Sequence, residues 1–244
     1  MKQTLNHLIY RVLFPGHAKT LADLRDTFKG RRCFILGNGP SLKKTDLTRL
    51  NGEYVFCVNR GYKALEMGLA RMSFFVVSDR ITYLGSRAEI DAAPADRRFY
   101  RRDILSFKAG DAFKIPKGTI VFDCHSTKTM NEGYFTTDPA KPLRRGYTVV
   151  LDCVQLAYGF GFDEVYILGV DLDYSKADTH FYGTGQTEQA RRDIMPMKNV
   201  FKAFEVAGRV FEKDGRKLLN ASKGGKLDAI ERIDYDRDIV FKRP

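Results

Sequence analysis

Four short apolar runs, each ending abruptly in a polar or glycine turn, constrain this chain more than anything else in it. They are RCFILGNG (32–39), EYVFCVN (53–59), SFFVVSD (73–79) and DEVYILGVD (163–171). Apolar runs of this length, without polar alternation, read as strands buried on both faces, as in a parallel sheet covered by helices. Helical segments fall between and after them, at 43–50, 62–68, 81–92 and 148–160. The segment 197–211 carries apolar residues at 197, 200, 201, 204, 207, 210 and 211, a continuous helical stripe. Further strands are expected at 97–100, 119–123 and 216–222. The alternation predicts an α/β fold: a Rossmann-like, mostly parallel sheet flanked by helices.

In domain terms, residues 29–244 read as one Rossmann-like domain preceded by a helical extension over 1–28. Two stretches with little periodicity, about 124–146 and 174–195, read as lid-like loops; loops of that length in a compact domain usually serve function. Near the N-terminus Leu5, Leu8, Ile9, Val12 and Leu13 share one helical face beside Lys2 and Arg11. A docked helix is the plain expectation, and an interfacial membrane anchor the sharper one. No apolar run approaches the ~18 residues of a membrane-spanning helix. The basic start lacks a small-residue cleavage site, so a signal peptide is not expected. Cys33, Cys57, Cys124 and Cys153 form no CxxC pair and read as small hydrophobes, and the four histidines show no metal-ligand spacing. A cytoplasmic location fits, with peripheral contact on the inner membrane as the alternative.

Charge narrows the partners. Lys and Arg number 41 against 30 Asp and Glu, a net charge of +11. Such a surface favours nucleic acid, anionic lipid or phosphorylated substrates. Helix-turn-helix, RNP, KH and zinc-finger patterns are all missing, so a nucleic-acid partner is not expected.

Five segments carry candidate chemistry, most of them where a strand ends. Gly37, Asn38, Gly39, Pro40 and Ser41 form a glycine turn after the first strand, and Ser41 suits a cap whose neighbouring N–H groups favour anionic oxygen. This is the address of a nucleotide site in an open α/β sheet, without a GxGxxG or a Walker motif. Asn59 and Arg60 end the second strand, and the Arg60 fork suits phosphate. Asp79 ends the third and reads as a ribose or Mg²⁺ ligand, or equally as a helix cap. Asp171 and Asp173 follow the strongest strand, with Tyr174, His180 and Tyr182 in the loop beyond. Histidine is the usual general base, and tyrosine hydroxyls can steady a phosphate leaving group without metal. Arg144 and Arg145 precede Thr148, which reads as a helix cap; the arginines suit phosphate or carboxylate.

The order FILGNGPSL, CVNRGY, GFDEVYILGVD, THFYG resembles the bacterial sialyltransferases of glycosyltransferase family 42, which include the Campylobacter lipooligosaccharide enzymes. The same blocks, with the C-terminal NASKGGKLDAIERIDYD, resemble the wider family named for the archaeal 6-hydroxymethylpterin diphosphokinase. The likeness spans roughly residues 25–236. It implies a GT-A-like fold, with Gly37 to Ser41 and Asn59 holding a nucleotide, CMP if the donor is an activated sialic acid. It implies His180 as the base on the acceptor hydroxyl, with Tyr174 and Tyr182 at the departing phosphate. Where the sialyltransferases have Arg followed by Thr-Ser-Gly, this chain reads Arg145–Gly146–Tyr147–Thr148. The leading expectation is a CMP-sugar-dependent glycosyltransferase, without cofactor, acting on a bacterial surface glycan; Arg60, Asp79, Thr148, Asp171 and Asp173 join its nucleotide site and Arg145 its catalytic set. The alternative is an ATP- and Mg²⁺-dependent diphosphokinase, in which Asp79 and Asp171 hold the metal.

Overall fold

The computed structural model describes residues 12, 14–105, 115–173, 180–182 and 197–241. The apolar runs become strands β1 (Arg32–Leu36), β2 (Tyr54–Val58) and β3 (Phe74–Val77), followed by β4 (Arg97–Arg101) and β5 (Thr119–Phe122). Two residue pairs, β6 (Cys124–His125) and β7 (Leu143–Arg144), form a small separate sheet, and β8 (Glu164–Leu168) and β9 (Lys217–Asn220) complete the large one. Its order is β5-β4-β3-β2-β1-β8-β9, with every neighbouring pair parallel. The expected Rossmann-like α/β architecture is the one observed.

The continuous apolar runs follow from two-sided burial. Along β1, β2 and β3, alternate residues Cys33, Ile35, Phe56, Val58, Phe74 and Val76 join one core. The residues between them, Phe34, Leu36, Val55, Cys57, Phe75 and Val77, join another on the opposite face. Helices α4 (Val149–Phe160) and α5 (Met197–Lys213) cover the first core. Short elements cover the second: 3₁₀ turns at Pro40–Lys44, Leu47–Leu50 and Asn59–Met67, and helices α2 (Arg80–Gly85) and α3 (Arg87–Ala92). The single helices expected at 43–50 and 81–92 are each divided. Asp46 caps a second turn through the Thr48 N–H, and Ser86 leaves helical geometry between α2 and α3.

Residues 14–28 pack into the same body as the sheet. Helix α1 (His17–Asp23) lies on β5, where the Val121 N–H donates to His17 Nδ1 at 2.7 Å. Burial lowers the His17 pKa. Phe28 stacks on Phe162 at 4.7 Å and meets Tyr54 and Phe74 edge-on. Of the apolar face expected at the N-terminus, only Val12 lies within the described residues, and it is exposed. Cys33, Cys57 and Cys153 are buried as expected, Cys124 is half-buried, and all four are free thiols. Among the described residues no helix is long and apolar enough to cross a membrane.

The stretch 124–146, expected as a lid-like loop, is pinned along its length. The β6–β7 pair closes it, and Thr129 and Glu132 form a reciprocal cap. Gln155 of α4, fully buried, reaches into it: Oε1 accepts from the Thr136 and Arg144 N–H groups at 3.2 and 2.9 Å. Its Nε2 donates to the Arg144 and Leu151 carbonyls. Replacing Gln155→Leu strands the buried Thr136 N–H and the part-buried Arg144 N–H, each worth about 1–3 kcal/mol. The variant is expected to lose about 2–6 kcal/mol in denaturant unfolding and to lose amide-exchange protection at Thr136 and Arg144.

Candidate functional site

A pocket of about 360 Å³ opens over the C-terminal ends of the strands. Its walls are the Gly37–Gly39 turn, the tips of β2 and β3, the turn leading into α4, the segment after β8, and His180 with Tyr182. It lies where the chain, having run outward from β1 to β5, resumes on the other side of β1 at β8. Ligands of open α/β sheets bind at such switch points.

The glycine turn is built by close backbone approach. The Gly37 and Gly39 N–H groups donate to the Leu168 and Gly169 carbonyls, both at 2.7 Å. A Cβ at Gly39 would lie 2.7 Å from the Gly169 oxygen and 2.8 Å from the Asp171 carboxylate, so only glycine fits. Asp171 then closes the turn. Its Oδ2 accepts from the Ser41 N–H at 2.8 Å and its Oδ1 from the Ser41 hydroxyl. The Lys226 N–H in turn donates to the Asp171 carbonyl at 2.7 Å. The donors expected to face a ligand anion from Ser41 are therefore occupied by the protein's own carboxylate, and Pro40 and Ser41 lie outside the pocket lining. Gly37, Asn38, Gly39 and Asp171 remain on it.

Two asparagines tie the strand tips together. Asn38 Nδ2 donates to the Val58 carbonyl at 3.1 Å. Asn59, in the left-handed region at φ 50°, accepts on Oδ1 from the Ser78 and Asp79 N–H groups at 3.2 and 3.3 Å. Asp79 lines the pocket and also caps α2, accepting from the Thr82 N–H at 2.9 Å. Asp79 is thus a helix cap that lies on the pocket wall. Asp173 lines the pocket and pairs with Lys226 at 3.1 Å. On the opposite wall Thr148 caps α4, accepting from the Val150 N–H, and Tyr147 before it holds a left-handed φ of 67°. Arg145 lies 5.1 Å from the Tyr147 ring and faces the same pocket. Arg144 lies outside the lining, its guanidinium 5.9 Å from the Tyr134 ring.

The His180 segment is docked on the glycine turn. The Phe181 N–H donates to the Asn38 carbonyl at 2.8 Å, and the Phe181 ring is buried in the core. His180 and Tyr182 line the pocket, their ring centroids 4.9 Å apart. Arg60, expected on a phosphate, instead stands 4.7 Å from the centre of the Tyr182 ring and is not part of the lining. Its charge braces the ring face through a cation–π contact. Tyr174 lies outside the described residues.

Sequence reasoning missed the pocket floor, where Arg101 of β4 meets Asp152 in the first turn of α4, Nη1 to Oδ2 at 3.5 Å. No local pattern links residues 51 positions apart in sequence; the one available signal was a charged residue, Asp152, inside the mostly apolar 149–160 helix. Asp152 is 1% exposed. Burial raises its pKa to about 6 against the opposing pull of Arg101 and a hydrogen bond with Ser78. No cluster of three or more metal-ligating side chains occurs among the described residues.

A family model described as 6-hydroxymethylpterin diphosphokinase MptE-like matches residues 11–177. Two structures of the sialyltransferase CstII from Campylobacter jejuni share the fold. One, in complex with cytidine-5'-monophosphate, has a TM-score of 0.53 and 16% identity, covering 88% of this chain and 90% of that one. The other, with CMP-3FNeuAc, has a TM-score of 0.51 and 13% identity, covering 88% and 91%. At these identities the likeness is one of fold. No curated protein matches the chain.

The Asp152 shift has a defined sign. A folded pKa of about 6 lies above the ordinary 3.8, so the native state holds the proton more tightly than the unfolded chain. That contribution to stability is complete below about pH 4 and is lost as pH rises through about 6. Unfolding free energy measured from pH 4 to 7 is expected to carry this downward component in the wild type and to lack it in Asp152→Asn.

Proposed function

The chain belongs to the 6-hydroxymethylpterin diphosphokinase MptE-like family, and from that premise we propose that it is a transferase whose switch-point pocket takes a nucleotide-activated donor. We infer that the donor is a CMP-sugar and the acceptor a hydroxyl of a bacterial surface glycan. The observation that carries this reading is the hydrogen bond from the Phe181 N–H to the Asn38 carbonyl. It sets a histidine and a tyrosine on the same pocket wall as the glycine turn, where a general base and a phosphate neighbour are needed together. The fold shared with CMP-bound CstII nominates the nucleotide.

In the proposed reaction the acceptor oxygen forms a bond to the anomeric carbon while the bond from that carbon to the CMP phosphate oxygen breaks. The electron pair leaves with CMP, and the acceptor proton passes to the His180 imidazole. A single displacement inverts the anomeric centre. Tyr182, with Tyr174, would donate to the departing phosphate, and Arg145 would face its charge. Gly37 and Gly39 on either side of Asn38 let the backbone come close to the nucleotide, as a residue with a Cβ at either position could not. Asn59, Asp79 and Thr148 keep the surrounding tips in place, and Asp171 keeps the turn itself. The work takes place at the cytoplasmic side, with peripheral contact at the inner membrane bringing the acceptor within reach; no nucleic acid takes part.

The family match favours a second reading, an ATP- and Mg²⁺-dependent diphosphokinase with Asp79 and Asp171 on the metal. In this structure both Asp171 oxygens already accept from Ser41 and Asp79 Oδ1 accepts from the Thr82 N–H, so a divalent cation there would share these carboxylates with bonds that hold the turn and cap α2.

Calorimetry separates the readings: CMP is expected to bind equally well with Mg²⁺ or EDTA, and ATP to gain nothing from Mg²⁺. ATP binding that requires Mg²⁺, with no binding of CMP, would reverse the preference. For the base, His180→Ala is expected to lower kcat by about 10²–10⁴-fold while CMP affinity stays within a few-fold. Turnover retained within a few-fold removes His180 from the proton transfer.

A further inference from the structure

Arg101 is held in an unusual way for a cation facing a nucleotide pocket. Its Nε donates to Asp103 at 2.6 Å and its Nη1 to Asp152 at 3.5 Å. Among the described residues its remaining nitrogen, Nη2, has no protein partner, yet the side chain lines the pocket and is 23% exposed. Two carboxylates thus hold the guanidinium and leave one amino group without a protein partner on a side chain that lines the cavity.

The same two carboxylates decide what that amino group can bind. Burial opposes the Arg101 charge, and Asp152 and Asp103 overcome it. The charge is therefore already met by the protein, and a phosphate or carboxylate arriving at Nη2 would come up against two neighbouring acids. What remains is a directional N–H donor in a partly dry site, suited to a neutral oxygen: a hydroxyl or a carbonyl. The backbone of Arg101 ends β4, three strands from β1, and strands lie ~4.8 Å apart, which sets it roughly 14 Å across the sheet from the backbone of the glycine turn, on whose side His180 and Tyr182 line the pocket.

We propose that Arg101 is a specificity-determining residue that donates a hydrogen bond to a neutral oxygen on the part of the donor remote from its phosphate, with Asp152 and Asp103 as positioning residues. This rests on the reading of the pocket as a CMP-sugar site. The oxygen belongs either to a hydroxyl of the transferred sugar or to the carbonyl of the base, and the two sources separate in one experiment.

The probes are CMP and CMP-N-acetylneuraminate, bound to wild type, Arg101→Met and the double variant Arg101→Met/Asp152→Asn, in which no buried carboxylate is left unpaired. Loss of about tenfold in affinity for CMP-N-acetylneuraminate alone assigns the oxygen to the sugar; equal loss for both probes assigns it to the base. In either case the ratio of wild-type to variant affinity is expected to hold from about 0.05 to about 0.5 M NaCl, a range that strongly screens exposed charge pairs. Affinities unchanged in a folded double variant, or a ratio that collapses with salt as for a captured anion, overturn the inference. Wild-type protein that binds neither probe overturns the CMP-sugar reading itself, whatever the variants do.

Discussion

The contact between Asp171 and Ser41 organises the switch point of this fold. One carboxylate, at the end of β8, takes both the N–H and the hydroxyl of a residue at the end of β1. Those donors would otherwise be left over at the start of a short 3₁₀ turn. With them satisfied internally, the Gly37–Gly39 backbone can lie directly against Gly169, near enough that a side chain at Gly39 would collide with the carboxylate itself. The turn is then held by the protein's own hydrogen bonds, and the Asn38 carbonyl is placed to receive the Phe181 N–H. The position of the proposed base thus depends on a carboxylate that also holds the glycine turn.

The sheet supplies the rest of the geometry. Because all seven strands run parallel, their C-terminal ends meet along one edge, and residues far apart in sequence share a single pocket. Asn38 and Asn59 knit neighbouring tips through backbone hydrogen bonds. The net charge of +11 acts less directly than its size suggests. Arg60 braces an aromatic ring, and Arg101 is matched by two carboxylates. Arg145 and Arg80 line the pocket itself.

Much of this was legible in the sequence for one physical reason. A strand buried on both faces must be apolar throughout, so β1, β2, β3 and β8 announced themselves, and a parallel sheet obliges the polar residues that end them to converge. That logic placed Gly37, Gly39, Asn59, Asp79, Asp171, Asp173 and His180 on one pocket. It could not say what each would touch. Whether Asp171 faces a ligand or Ser41, and whether Arg60 faces phosphate or Tyr182, depends on side-chain directions across 130 residues or between two loops. The Arg101–Asp152 pair escaped because neither partner belongs to a motif. The β6–β7 sheet escaped because two-residue strands carry no periodicity, and the loop around them is held by the buried side chain of Gln155.

If the pocket between the Gly37–Gly39 turn and the start of α4 takes a nucleotide, a crystal of the protein soaked with CMP will show CMP in that pocket, its phosphate beside His180 and Tyr182, with the Asp171–Ser41 contact intact. CMP lying elsewhere on the protein, or displacing Asp171 from Ser41 to occupy its place, would overturn the nucleotide assignment.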